Sequence, residues 1–180
     1  LASRIQHPNT VTIFDFGQDP SGRLYIAMEL VEGPTLAETL AADGPFDVAR
    51  TLRISGQILE ALVAGWQQSI VHRDLKPANV ILQPDPARGE LVKVLDFGLA
   101  RSLDSGDAHS VITREGVVCG TPAYMSPEAA CGDPVDGRAD LYALGVMLYE
   151  MLEGHTPFHG DSGARIMARH VTDAPPPMRR

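Results

Sequence analysis

Three polar side chains of different chemistry lie close together in the stretch VHRDLKPANVIL, which runs from Val71 to Leu82. Asp74 and Lys76 are two positions apart, so in an extended loop their side chains project to the same side. Asn79 follows shortly after, and Pro77 stiffens the turn that leads to it. Apolar runs on both sides hold the loop in place. The sequence therefore predicts that a carboxylate, an ammonium and an amide converge.

A second carboxylate, Asp96, opens the tripeptide DFG directly after the apolar run VKVL. A carboxylate at the end of a strand suits a hard divalent cation, and Asn79 offers a neutral oxygen to the same ion. Mg²⁺ usually takes only one or two carboxylates together with phosphate oxygens. Asp74 would then orient a hydroxyl nucleophile, and Lys76 would neutralise charge on the phosphoryl group in transit. The four residues together predict magnesium-dependent phosphoryl transfer.

The alternative is that these residues are ordinary solvated charges in loops. One short motif alone would leave that alternative open. Here two motifs occur in the order and at the spacing that a shared site requires, so we favour the chemical interpretation.

The rest of the sequence predicts the elements that position these motifs. Hydrophobic periodicity and turn residues define them. They are a β-hairpin of residues 10–17 and 24–31, a short helix from near Thr35 to Gly44, a buried helix within residues 47–69, short strands at VIL and LVKVL, and an almost wholly apolar helix from Ala139 to Leu152. Residues 102–119, rich in Ser, Asp and Gly, predict a long exposed loop.

Composition excludes several classes of function. The 180 residues have ordinary apolar and charged fractions, 44% and 21%, and suffice for one buried core. The net charge of −8 argues against nucleic acid or an anionic membrane as a partner. The sequence has no signal peptide and no apolar run of about eighteen residues, so we expect a cytoplasmic segment without a membrane span. Cys119 and Cys131 lack metal-ligand spacing and are predicted to be reduced thiols.

Longer motifs carry a resemblance to a known family. The strings HRDLKPAN, DFGLA and GTPAYMSPE resemble the catalytic loop, metal loop and P+1 loop of eukaryotic-like (Hanks-type) protein kinases. DGRADLYALGVMLYEMLEGHTPF resembles the central helix that follows, and HPNTVTIFDFG resembles the end of the αC helix and the next strand. The lysine of DLKPAN and the string GTPAY favour the Ser/Thr branch, in its bacterial form.

The resemblance implies an α+β, protein-kinase-like fold with a mostly helical large lobe and the last strands of a truncated small lobe. Residues 1–31 would form the end of the αC helix, those strands and the hinge. Residues 32–180 would form an incomplete large lobe.

By the same resemblance, Asp74 is the catalytic base and Lys76 contacts the γ-phosphate of ATP. Asn79 and Asp96 hold Mg²⁺, or Mn²⁺ in its place. Thr121 would bond near Asp74 and Lys76 and help to favour Ser/Thr substrates.

The resemblance also implies an adenine site at the hinge. Glu29 and Val31 would offer backbone groups to adenine, with Met28 as gatekeeper. Glu32 would contact the ribose, and Ile81 would form a floor under the base. Plain core packing is the alternative for Met28 and Ile81.

Two acidic residues have implied structural roles. Asp140 would accept backbone N–H groups from the catalytic loop, and a helix N-cap is the alternative for it. In the family, Glu128 of SPE pairs with an arginine in a later helix. No residue of this sequence clearly replaces that arginine, so Glu128 is expected to lack its partner.

Regulation is implied by Arg73, which resembles the arginine that pairs with a phosphorylated residue of the activation loop. Ser110 and Thr113 are the candidate phosphorylation sites. We hypothesise that Glu115 supplies part of the same negative charge, and a solvated loop acid is the equal alternative.

The family's Gly-rich loop, its strand lysine and the αC glutamate that pairs with it have no counterpart in this sequence. Since LASRIQ looks like the end of a helix and the last residues form a proline run, we expect a piece of a longer domain that is inactive alone. The expected partners are ATP and proteins with Ser or Thr. The oligomeric state, and any membrane anchor of the longer parent, stay open.

Two other functions compete with a kinase. A non-catalytic, kinase-like binding module would often have lost one of Asp74, Lys76, Asn79 and Asp96, and all four are intact. A small-molecule phosphotransferase would not need GTPAYMSPE, which resembles a platform for a peptide substrate.

Overall fold

The structure is a computed structural model that describes residues 5–87, 89–97 and 120–178. Within these ranges it contains strands in two antiparallel pairs and five α-helices. In chain order the elements are β1 (Ile13–Gln18), β2 (Leu24–Met28), α1 (Leu36–Asp43), α2 (Val48–Gln67), β3 (Val80–Asp85), β4 (Gly89–Val94), α3 (Pro127–Cys131), α4 (Arg138–Glu153) and α5 (Gly163–Thr172). This arrangement confirms the predicted α+β class. The predicted loop of residues 102–119 lies outside the described residues.

The predicted N-terminal hairpin is confirmed, with β1 and β2 paired from Ile13↔Met28 to Gln18↔Leu24. Its turn is held by Asp19, whose Oδ1 accepts the backbone N–H of Ser21 at 2.8 Å and that of Arg23 at 3.0 Å. The first strand begins later than predicted because the residues before it pair elsewhere. The N–H of Val11 donates to the carbonyl of Val94, 3.0 Å away, in a different sheet.

The short helix α1 begins and ends as the sequence predicts. Thr35 and Glu38 form a reciprocal capping box, with Thr35 Oγ1 accepting the Glu38 N–H at 3.1 Å and Glu38 Oε2 accepting the Thr35 N–H at 2.7 Å. Gly44 follows the last residue with φ of 75°, a left-handed conformation that glycine adopts without strain.

The hydrophobic core lies between α2, α4 and the β3–β4 ribbon. Along α2 the buried side chains repeat at helical spacing, and α4 is buried on several sides, which agrees with their predicted patterns. The fully buried members are Leu36, Ile54, Ile58, Leu62, Leu75, Met147, Met151, Val80, Val92 and Val94. Leu75 belongs to the loop between Asp74 and Lys76, so the core anchors that loop directly.

The β3–β4 ribbon confirms the two short strands predicted at VIL and LVKVL, but both strands extend into the QPDPARGE segment between them, which the sequence predicted as a loop. Val80 pairs with Val94 and Ile81 with Lys93. Because side chains alternate between faces, Val80 and Val94 enter the core while Ile81 and Lys93 share the opposite face.

A buried asparagine joins the N-terminal segment to this ribbon. Asn9 donates its amide N–H groups to the carbonyl of Val92 at 2.8 Å and to the Gln57 side chain at 3.0 Å. The backbone carbonyl of Asn9 accepts the N–H of Val94 at 2.8 Å. The segment before β1 is thereby fixed to α2 and β4.

Some features differ from the predictions or were not predicted. Ile5, Gln6 and His7 are not helical, whereas the sequence suggested the end of a helix there, and residues 1–4 lie outside the description. The short helices α3 and α5 were not predicted, although Ser126 and Ser162 cap them. In the described part of the chain, no helix has the length and apolar character needed to cross a membrane.

Candidate active site

The side chains of Asp74, Lys76 and Thr121 form a closed triangle of hydrogen bonds. Lys76 Nζ lies 2.6 Å from Asp74 Oδ2 and 3.0 Å from Thr121 Oγ1. The Thr121 hydroxyl donates to Asp74 Oδ1 at 3.2 Å. The Asp74 and Lys76 side chains are 33% and 25% exposed, so a ligand can reach them from solvent.

Asp140 holds the backbone of the loop that carries Asp74. Its Oδ2 accepts the N–H of His72 and its Oδ1 accepts the N–H of Arg73, both at 2.9 Å. The indole N–H of Trp66 also donates to Oδ2, at 3.3 Å. Gly137 occupies the N-cap position of α4, so the alternative role of Asp140 as an N-cap is not what the structure contains. A carboxylate that is 1% exposed thus binds the loop and not its own helix.

His72 connects this loop to the strand that leads to Asp96. Its Nε2 lies 2.8 Å from the carbonyl of Leu95 and therefore carries the proton, while its ring packs 4.9 Å from that of Phe97. Burial lowers the pKa of His72, and the negative charge of Asp140 acts in the opposite direction. The neutral imidazole is therefore the form that the fold contains.

This burial predicts acid sensitivity. Below about pH 6.5 the unfolded chain binds a proton at His72 that the folded state excludes, so the free energy of unfolding falls as the pH drops. We expect urea unfolding to show lower stability at about pH 5.5 than at about pH 7.5. His72→Gln keeps a side-chain N–H donor but cannot titrate, so its stability should change less between the two pH values. Equal pH dependence in the variant and the wild type would contradict this assignment.

Asn79 and Asp96 lie on adjoining segments. The Asn79 side-chain N–H donates to the carbonyl of Asp74 at 2.9 Å, which leaves its Oδ1 available as a ligand oxygen. The carbonyl of Asn79 accepts the N–H of Leu95 at 2.9 Å, so the residue before Asp96 is bound to Asn79. Asp96 is exposed and has a φ of 60°. The donor set is one carboxylate and one amide oxygen, which fits Mg²⁺ that keeps phosphate or water ligands.

Of the residues predicted to form the adenine site, Met28 ends β2, Ile81 lies in β3, and Glu29, Val31 and Glu32 follow β2. Met28 is 38% exposed and lines a small pocket with Val11, Asp96 and Phe97, so it is not an ordinary core residue. Ile81 and Val31 are half-buried, and Glu32 is exposed. The backbone bends at Gly33.

Gly33 explains how closely the hinge approaches β3. Its φ is 149°, and a Cβ at this position would lie 2.5 Å from the carbonyl oxygen of Leu82. Only glycine allows this contact between the two backbones. The position of Ile81, next to Leu82, relative to the hinge depends on it.

One tyrosine contact holds the segment after Thr121 to α4, and a second joins α4 to α5. The Tyr124 hydroxyl donates to Glu150 Oε2 at 2.7 Å, and burial raises the pKa of Glu150. The Tyr142 hydroxyl lies 2.7 Å from Nδ1 of the buried His170 of α5. Burial lowers the pKa of His170, while the backbone of Ala123 acts in the opposite direction. The turn Pro122–Tyr124 is thus fixed against α4 and α5.

The remaining predicted residues are separate from this cluster. Arg73 is exposed and has a φ of 70°, and its predicted partners Ser110, Thr113 and Glu115 lie outside the described residues. Glu128 is half-buried in α3. Among the described residues its carboxylate takes part in no hydrogen bond or ion pair.

Sequence reasoning missed several residues that shape the site, namely Asn9, Gln57, Lys93, Tyr142 and His170. For Lys93 a signal was present, because a single lysine interrupts the apolar run VKVL and must leave the core face. The contacts of the other four join residues far apart in the sequence, and no local pattern encodes them.

Comparison with known proteins gives consistent results. The family model described as the protein kinase domain matches residues 1–178. The serine/threonine-protein kinase pkn3 of Myxococcus xanthus is 46% identical over 179 residues, which cover 99% of this chain and 33% of the relative. Two PknB serine/threonine-protein kinases, from Mycolicibacterium smegmatis and Mycobacterium tuberculosis, are 43% and 42% identical over 99% and 98% of this chain and 28% of their own lengths. The chain therefore spans about a third or less of these relatives.

Proposed function

Because this chain belongs to the protein kinase family, in its bacterial Ser/Thr branch, we propose that the protein transfers the γ-phosphate of ATP to Ser or Thr hydroxyls of proteins. Members of the family generally use ATP with a divalent metal ion. The observation that carries the proposal is the triangle of Asp74, Lys76 and Thr121, where a carboxylate, an ammonium and a hydroxyl meet within 3.2 Å of one another.

In the proposed reaction, Asp74 orients the substrate hydroxyl and accepts its proton as the oxygen attacks phosphorus. The bond between the γ-phosphorus and the bridging oxygen breaks, and ADP leaves. Lys76, already bound to the Asp74 carboxylate and the Thr121 hydroxyl, directs its remaining N–H donor at the phosphoryl oxygens and neutralises their charge. Thr121 fixes the second oxygen of Asp74, so the carboxylate has a single orientation.

We further propose Asn79 and Asp96 as the ligands of Mg²⁺ or Mn²⁺. When bound, the ion neutralises phosphate charge and orients the phosphates for transfer. The free Asn79 Oδ1 and the exposed Asp96 carboxylate support this assignment.

For the nucleotide, we propose that the backbone groups of Glu29 and Val31 bind adenine, with Met28 behind it and Ile81 beneath it. The close contact of Gly33 with β3, the strand of Ile81, supports this site. Glu32 is exposed beside the hinge, as a ribose contact requires.

Regulation by phosphorylation is part of the proposal. Arg73 directly precedes the base and is exposed, and among the described residues its guanidinium forms no ion pair, so it can receive a phosphate. Ser110 and Thr113 are the proposed sources of that phosphate, and Glu115 is proposed to supply part of the charge.

We propose that residues 1–31 contribute the end of the small lobe and residues 32–180 part of the large lobe. The Gly-rich loop and strand lysine of the family would then come from a longer protein. Tests of activity therefore require the full-length protein that contains this chain.

The test is transfer of labelled γ-phosphate from ATP to protein Ser and Thr, with and without Mg²⁺. We expect labelled protein that depends on the metal and disappears when a chelator is added. Binding of ATP without transfer would overturn the proposal in favour of a non-catalytic binding module. Labelled small molecules without labelled protein would identify a small-molecule phosphotransferase instead.

A further inference from the structure

A partly buried ion pair connects the hinge to the strand that leads to Asp96. Lys93 Nζ lies 2.7 Å from Glu29 Oε1, and the two side chains are 12% and 26% exposed. Glu29 is the residue after Met28, and Lys93 is in β4. The pair is far less solvated than a surface salt bridge, so solvent screens it less.

The Glu29 side chain also fixes the hinge to the segment before β1. Its Oε1 accepts the N–H of Thr12 at 3.1 Å, while its own backbone N–H donates to the carbonyl of Thr12 at 2.9 Å. Residues 12 and 29 are therefore joined twice, and the orientation of the Glu29 peptide depends on where its carboxylate is held. Lys93 holds that carboxylate.

Lys93 lies on the face of the ribbon that the proposed adenine site uses. It pairs with Ile81 in the β3–β4 register, and both side chains point away from the core because Val92 and Val94 are fully buried. The Lys93 ammonium also approaches the carbonyl of Thr10, 3.5 Å away. The Lys93 side chain thus links the strand position beside Ile81, the proposed floor of the site, to Glu29 at the hinge.

We propose that Lys93 is a positioning residue for nucleotide binding, which acts through Glu29 on the hinge peptide that receives adenine. This inference rests on the proposed function, since it takes ATP as the ligand of the hinge. Without Lys93, the Glu29 carboxylate in its present position would be partly buried without an ionic partner. It would therefore move toward water. The hinge peptide then loses its fixed orientation.

The experiment compares Lys93→Met with wild type in the full-length protein. We expect the KM for ATP and the Kd for ADP, measured by calorimetry, to rise about tenfold, with kcat and the KM for a protein substrate within about twofold. Lys93→Arg keeps the charge and should restore most of the ADP affinity. A general loss of folding would instead lower the melting temperature and raise both KM values together. Arg23→Gln removes an exposed ion pair of the same hairpin, with Asp19, and should leave ADP affinity unchanged.

A double-mutant cycle isolates the pair. If Lys93 acts through Glu29, then Glu29→Gln together with Lys93→Met weakens ADP binding no more than the worse single variant. Additive losses would overturn the inference, and so would unchanged ADP affinity in a folded Lys93→Met variant. Either result can occur while wild type transfers phosphate normally, so failure here is distinguishable from failure of the proposed function.

Discussion

Replacing Asp74 with Asn is expected to lower kcat for protein phosphorylation by about 10²- to 10⁴-fold, the usual contribution of a general base. Asparagine has the same shape and can still accept a hydrogen bond from Lys76, but it cannot take the proton of the substrate hydroxyl. The affinity for ADP should change little, because Asp74 does not contact the hinge. Steady-state phosphate transfer by the full-length protein measures the effect.

The control for this variant is Asp161→Asn, which removes an exposed carboxylate whose one ion pair within the described part of the chain is with Arg165 of α5. It should keep wild-type kcat. An Asp74→Asn protein that is folded, binds ADP and retains kcat within about threefold of wild type would show that Asp74 is not the base.

The second large effect concerns stability. Asp140→Ala is expected to lower the free energy of unfolding by about 3–5 kcal/mol, because it leaves the backbone N–H groups of His72 and Arg73 and the indole of Trp66 without their acceptor. A loss of this size is a large part of the stability of a typical domain. Chemical denaturation monitored by circular dichroism measures it.

Two further variants test whether this loss of stability comes from the hydrogen bonds of Asp140. Asp140→Asn keeps one acceptor oxygen, so its stability should lie between those of wild type and Asp140→Ala. Asp136→Ala removes an exposed carboxylate that accepts the N–H of Arg138 at the start of α4, so it should lower stability far less than Asp140→Ala does. If Asp140→Ala and Asp136→Ala were equally stable, the hydrogen bonds of Asp140 to the loop would not be important for the fold.

Much of the fold could be predicted because its signals are local. The Asp19 turn, the Thr35 capping box and the periodicity of α2 each depend on residues within a few positions of one another. The start of β1 was misplaced because residues 9–11 pair with β4, more than eighty positions away. Helices α3 and α5 were missed because they are short, and tertiary packing stabilises such helices more than local propensity does.

The candidate site divides in the same way. The proximity of Asp74, Lys76 and Asn79 follows from their spacing, whereas the contact of Thr121 with Asp74 was implied only by family resemblance. The ion pair of Lys93 with Glu29 joins residues 64 positions apart. Nothing in either local sequence indicates the other, because the contact exists only once β4 lies beside the hinge.

At Arg73 the backbone conformation is unfavourable for stability, while the side chain has the proposed regulatory role. A side chain at a φ of 70° costs about 1–2 kcal/mol that glycine would not. A sequence optimised for thermal stability alone would therefore have glycine at this position. The chain keeps arginine, the residue proposed to receive the regulatory phosphate, next to the base. Arg73→Gly would relieve the backbone cost, and under the regulation proposed above it would also remove the guanidinium that receives the phosphate.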